Sequence, residues 1–170
     1  MDAERLRQLQ APLKARYKED PASARVTLRA RGRVQQENLT VTLETGKPGL
    51  PAGLHPAAGG DGSAACSGDL LLEALVGCAG VTLAAVATAM GITLERAFVS
   101  AEGDVDFRGT LGVARDVPVG FSEIRLLFEL EAPAAADKLP KLVELSERYC
   151  VVLQTLSHAA KIVVHTQGAP

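Results

Sequence analysis

Apolar residues fall at helical spacing at the start of the chain, where Leu6, Leu9, Leu13 and Tyr17 share one face and predict a helix over 3–18. Pro21 stops it. The period then changes to two. Val26, Leu28 and Ala30 alternate with Thr27, Arg29 and Arg31, which predicts a strand over 25–34. A turn over 35–38 and a returning strand over 39–44 follow. Residues 46–68 are rich in glycine and proline and read as a long irregular loop. From 69 to 90 the chain is almost wholly apolar, with no charged residue after Glu73, and predicts a helix capped by Ser67 or Asp69 and ended by Gly91. A helix apolar on every side reads as the fully buried core helix of a soluble protein. Alternation returns over 98–107 and again from Phe121 through Ile124, Leu126, Phe128 and Leu130. Residues 134–161 read as a helix in two pieces, with a polar joint before Cys150, and 161–166 as a closing strand. The order α-β-β-α-β-β-α-α-β argues for one α+β domain, an antiparallel sheet wrapped on buried helices.

Composition narrows the functions. The 170 residues carry a formal net charge of −2, so no global field draws the chain to nucleic acid or to an anionic membrane. Aromatic residues are 4% with no Trp, which leaves no base-stacking platform. The first ten residues are charged and amphipathic, unlike a signal peptide, and a cytoplasmic location is expected. Three cysteines in a reducing compartment are buried filler, metal ligands or redox actors. His55, His158 and His165 form no zinc-binding spacing with them, and neither a metal nor a cofactor is called for. His55, in the loop before the apolar helix, is placed to line a pocket mouth.

Cys78 lies in the middle of the apolar helix and Cys150 opens a second apolar run 72 residues later. One thiol on a helix with a second available from elsewhere suits a sulfur that is oxidised and then resolved as a disulfide. The runs Leu70-Leu-Leu-Glu-Ala-Leu-Val-Gly-Cys78 and Glu147-Arg-Tyr-Cys150 resemble the OsmC/Ohr family of small thiol-dependent hydroperoxide reductases. The resemblance implies an intertwined homodimer, with active sites at the interface. It implies that Cys78 attacks an organic hydroperoxide, that Cys150 resolves the sulfenic acid, and that an external dithiol reduces the disulfide.

The resemblance also implies an arginine, oriented by a carboxylate, that supports the thiolate. Arg33 is the candidate, with Arg29 and Arg31 competing, and Asp69 stands near the place of the family's glutamate. The family's Pro-Glu pair is replaced here by Ser67-Gly68-Asp69, and Asp69 reads equally as an ordinary helix-start carboxylate. Cys66 is about three helical turns, roughly 18 Å, from Cys78 and cannot bond to it within an intact helix. A second reading is an interface pocket that binds a small lipophilic ligand without turnover.

Overall fold

The computed structural model describes residues 3–36, 40–43, 52–62, 65–164 and 166. Helix α1 spans Ala3–Glu19 and leads through a 3-10 turn, Pro21–Ala24, into strand β1, Arg25–Gln35. Asp20 closes the helix exit: its side chain accepts from the Ala22 amide at 3.0 Å. Strand β2, Thr40–Leu43, returns antiparallel to β1, with Gly32 opposite Leu43. Of the turn expected over 35–38, residues 37 and 38 lie outside those described, as does His165, and Gln35 belongs to β1.

Of the loop expected over 46–68, the described part is ordered. Two short strands, β3 (Ala52–Gly53) and β4 (Ala65–Cys66), pair in parallel. Between them a 3-10 turn, Pro56–Ala58, is capped by His55, whose Nδ1 accepts from the Ala57 amide at 3.0 Å. Local side-chain capping and a left-handed Gly59 (φ 95°) do here what periodicity does elsewhere.

Helix α2 spans Ser67–Ala89. Its N-cap is Cys66, without a side-chain cap bond, so neither Ser67 nor Asp69 caps it as expected. Asp69 sits in the first turn, where the helix dipole favours a carboxylate. Gly91 (φ 64°) ends the helix as expected, its N–H bonded to the Thr88 carbonyl. Strands β5 (Arg96–Asp106) and β6 (Phe121–Glu131) follow, joined through a short helix α3, Phe107–Thr110. The sheet order is β2-β1-β5-β6, and every pairing in it is antiparallel.

The sheet has two unlike faces. Ala97, Val99, Ala101 and Val105 of β5 are buried with Leu72, Leu75, Val76, Leu83 and Ala87 of α2 in one core. The opposite face is a solvated ladder of charges. Arg29 meets Glu102 at 2.7 Å, Arg31 meets Glu129 at 3.4 Å, and Arg125 meets Asp104 at 2.6 Å. Phe121 and Ile124 both turn toward the core although they are three positions apart, an odd spacing on a strand. A register shift opposite Asp104 and Val105 absorbs the mismatch. Phe121 then lies across Gly103, where a Cβ would stand 2.4 Å from its ring.

A 3-10 segment, Pro133–Lys138, leads into helix α4, Leu139–Tyr149, and then α5, Val151–Ser157. Both helices pack against α2. The helical region ends four residues earlier than expected, and no strand forms over 161–164. Ile162 and Val164 are 84% and 82% exposed. A strand needs a hydrogen-bonding neighbour, and within the described residues this stretch has none.

Helix α2 also departs from expectation, because it is not buried on every side. The sheet covers one flank and α4 and α5 another. Leu70, Leu71, Ala74, Val81, Ala85 and Thr88 form an open stripe at helical spacing, with Val81 39% exposed. By length and composition this helix could cross a membrane, but half of its most apolar window is buried inside the protein.

Candidate active site

The sequence places Pro140 in the first turn of α4, which its fixed φ favours. Near the other end, Ser146 Oγ turns back onto the Leu142 carbonyl at 2.7 Å. The helix stops after Tyr149 because Cys150 takes an extended conformation, φ −72° and ψ 106°. Cys150 thereby ends α4 and caps α5. Its N–H donates to the Ser146 carbonyl at 3.0 Å, and its carbonyl accepts from the Gln154 amide at 2.9 Å. Its Sγ accepts from the Leu153 amide at 3.5 Å. The side chain is fully buried. Burial pushes the Cys150 thiol up to about 11, the Leu153 amide opposes the shift, and the neighbouring Cys78 sulfur adds to it.

Packing of α4 and α5 onto α2 thus closes the 72-residue gap between the two cysteines. Cys78 projects beside the open stripe of α2 and is half-buried, while Cys150 lies beneath it. One turn away along α2, Ala74 and Val81 flank Cys78 and are exposed. A partly accessible sulfur beside a sequestered one can carry an oxidation and its resolution in sequence.

The other expected residues lie elsewhere. Alternation along β1 puts Arg29, Arg31 and Arg33 on the outer face of the sheet, away from α2. Arg33 is exposed, its guanidinium 5.6 Å from the Phe98 ring centroid, and no ion pair joins it to a carboxylate among the described residues. Asp69 is nine residues before Cys78 on one helix. That is two and a half turns, about 13.5 Å along the axis and on the opposite side. Within one chain neither Arg33 nor Asp69 reaches Cys78. Cys66 sits at the helix N-terminus, equally remote. His158 is exposed at the end of α5, and no group of three metal-ligating side chains occurs among the described residues.

Asp69 has a different neighbourhood, missed in the sequence apart from its His55 member. His55 stacks on Phe107 with centroids 5.0 Å apart and lies close enough to Asp69 for their charges to interact. Burial pushes the His55 imidazole down, and Asp69 partly offsets this. Glu73, one turn after Asp69, is only 8% exposed. Burial pushes both carboxyls up; His55 opposes the shift at Asp69, and Asp69 reinforces it at Glu73. The signal for Glu73 was its charge inside an otherwise apolar run, four residues from another acid.

Raised carboxyl values set the sign of a pH effect. Stability contributed by the protonated forms is present below the unfolded values, near pH 4, and is lost as pH rises through the folded ones. Glu73→Gln removes one ionisation. Urea melts are therefore expected to show this variant more stable than the parent at pH 7, with the difference vanishing toward pH 4. An unchanged difference across that range would contradict the assignment.

The family model described as OsmC-like protein matches residues 60–165. An OsmC-like hydroperoxide resistance protein from Jannaschia sp. CCS1 superposes with a TM-score of 0.56 at 18% identity, covering 82% of this chain and 91% of that one. An OsmC-like protein from Mycoplasma pneumoniae superposes with a TM-score of 0.54 at 19% identity, covering 76% and 86%. No curated protein matches the chain. The antiparallel α+β architecture is that of these structures, and the chain belongs to the OsmC-like protein family.

Proposed function

We propose that the protein is a thiol-dependent peroxidase that reduces organic hydroperoxides. The observation that carries this reading is the juxtaposition of a half-buried Cys78 with a fully buried Cys150 whose thiol is held protonated at neutral pH. Cys78 thiolate attacks the terminal peroxide oxygen, the O–O bond breaks, and the alkoxide takes a proton and leaves as alcohol. Cys78 is left as sulfenic acid. The Cys150 sulfur then attacks Cys78, water leaves, and a disulfide forms. An external dithiol restores both thiols. The apolar stripe beside Cys78 favours alkyl over hydrogen peroxide.

A thiolate beside an apolar helix face needs a cation, and the chain's own Arg33 is on the far side of its sheet. In the proposed assembly the open stripes of two copies pack together, and Arg33 of the partner subunit supplies the guanidinium. Sedimentation is expected to give twice the chain mass. Val81→Glu, which puts a charge into the stripe, is expected to give monomers with unchanged far-ultraviolet dichroism. Monomeric parent protein at micromolar concentration would contradict the assembly.

The distance of Arg33 from Cys78 also favours a second reading, in which the stripe holds a small lipophilic ligand without turnover. Consumption of cumene hydroperoxide by the reduced protein with a dithiol separates the two. Catalytic consumption supports the peroxidase, and none supports the binding protein.

A further inference from the structure

The bond that orders the loop before α2 works with only one form of its histidine. His55 Nδ1 accepts from the Ala57 amide at 3.0 Å. A backbone N–H can only donate, so Nδ1 carries a lone pair and the ring's proton sits on Nε2. We propose that His55 is a pH-sensitive latch: its neutral ring holds α1 onto the loop, and protonation releases the helix. The imidazolium carries an N–H on both nitrogens. Its Nδ1–H would face the Ala57 N–H, and the cap of the Pro56–Ala58 turn is lost.

That turn is what α1 grips. Tyr17 Oη donates to the Ala57 carbonyl at 2.7 Å, and Gln10 Nε2 donates to the Ala58 carbonyl at 3.2 Å. Tyr17 and Ala58 are both buried. Ala57 is thus held at both ends, its N–H by His55 and its carbonyl by Tyr17, and loosening the first weakens the second. The other supports of α1 are the Pro21–Ala24 turn and α3. Helix α3 carries Phe107, on which the His55 ring stacks, so the latch touches two of the three supports. None of these bonds uses a residue of the open stripe of α2, so they hold whether or not a second copy covers it.

The groups around the ring set the direction. Asp69, in the first turn of α2, is the charged group that acts on it, and Asp69 acts in turn on Glu73. On α3, Arg108 is taken up by Asp106 at 2.6 Å. On α1, Arg16 lies over the Tyr17 ring, 5.0 Å from its centroid. Burial pushes the imidazole below its usual 6.5, and Asp69 offsets only part of this. With the folded value depressed, the latch contributes stability above pH 6.5 that is lost as pH falls from there through the folded value. Asp69 and Glu73 carry raised values and slope the other way. A global melt sums both slopes, whereas a local probe of α1 reads the latch.

The test is amide hydrogen exchange of the full chain at pH 7.5 and pH 5, read by peptide mass spectrometry with labelling times matched to the intrinsic exchange rate. Protection of residues 8–19 in the parent is expected to fall by about fivefold or more at pH 5. His55→Asn keeps a capping oxygen that does not titrate, and should hold the pH 7.5 protection at both values. His55→Phe keeps an aromatic ring against Phe107 without an acceptor, and should show the lowered protection at both. Peptides of α4, which packs on α2, are the internal reference. Equal α1 protection in the parent at the two pH values would overturn the latch. So would a fall in His55→Asn as large as the parent's, or parental protection in His55→Phe at pH 7.5. If His55→Phe does not fold, the parent and His55→Asn decide alone.

Discussion

Cys78→Ser is expected to lower dithiol-supported consumption of cumene hydroperoxide by on the order of a thousandfold or more, because the hydroxyl that replaces the thiol is not ionised at neutral pH. Cys150→Ser is expected to behave differently. Cys78 still reacts with the first equivalent of peroxide, but its sulfenic acid has no buried thiol to condense with. Excess peroxide should then carry it to sulfinic acid, visible as two added oxygens by intact mass. The asymmetry follows from the separate roles that half-buried Cys78 and fully buried Cys150 take in the proposed cycle. Equal loss of the first turnover in both variants would contradict the separate attacking and resolving roles.

Leu83→Ala is expected to have the largest effect on stability without touching the sulfur chemistry. Leu83 is fully buried in the core between α2 and the sheet. Removing most of its side chain costs about 2–5 kcal/mol in lost transfer energy and residual cavity. A domain of this size has a total stability of roughly 5–15 kcal/mol. At about 2–4 °C per kcal/mol, the melting temperature should fall by about 4–20 °C. Val151→Ala is the control: Val151 is exposed on α5, and the change should stay within about 0.5 kcal/mol. A Leu83→Ala melt indistinguishable from the control would contradict the placement of α2 against the sheet.

Most of the helices and strands were legible from period alone. The alternation over 98–107 became β5, and the long apolar run became α2. What period could not reveal was which elements would lack a neighbour. Ile162, Val163 and Val164 read as a strand, yet strand formation depends on an edge to pair with. The apolar run of α2 read as wholly buried, yet one sheet and two short helices cover only part of its circumference. The loop before α2 was illegible for another reason. Its order comes from His55 capping, the left-handed Gly59, and the α1 helix above it, where Tyr17 Oη donates to the Ala57 carbonyl at 2.7 Å.

The candidate site divides in the same way. The two cysteines stood out because thiols are few and their surroundings apolar. Their meeting depended on how α4 breaks at Cys150, which spacing does not encode. Resemblance points to Arg33, but strand alternation assigns it to the face carrying Arg29 and Arg31. Resemblance points to Asp69 near the start of α2, and helix geometry turns it away from Cys78. Both expectations concern contacts that a single chain does not make. Glu73 reads in the sequence as an irregular charge in an apolar run, whereas the fold buries it beside a second acid.

The central claim is that Cys78 and Cys150 form one redox unit. Its most direct test is to add one equivalent of cumene hydroperoxide to fully reduced Cys66→Ser protein, then count the remaining thiols and map the peptides. Loss of both thiols, loss of two hydrogens in the intact mass, and a single cross-link joining Cys78 to Cys150 are expected. Retention of both thiols, with the peroxide unconsumed, would contradict it.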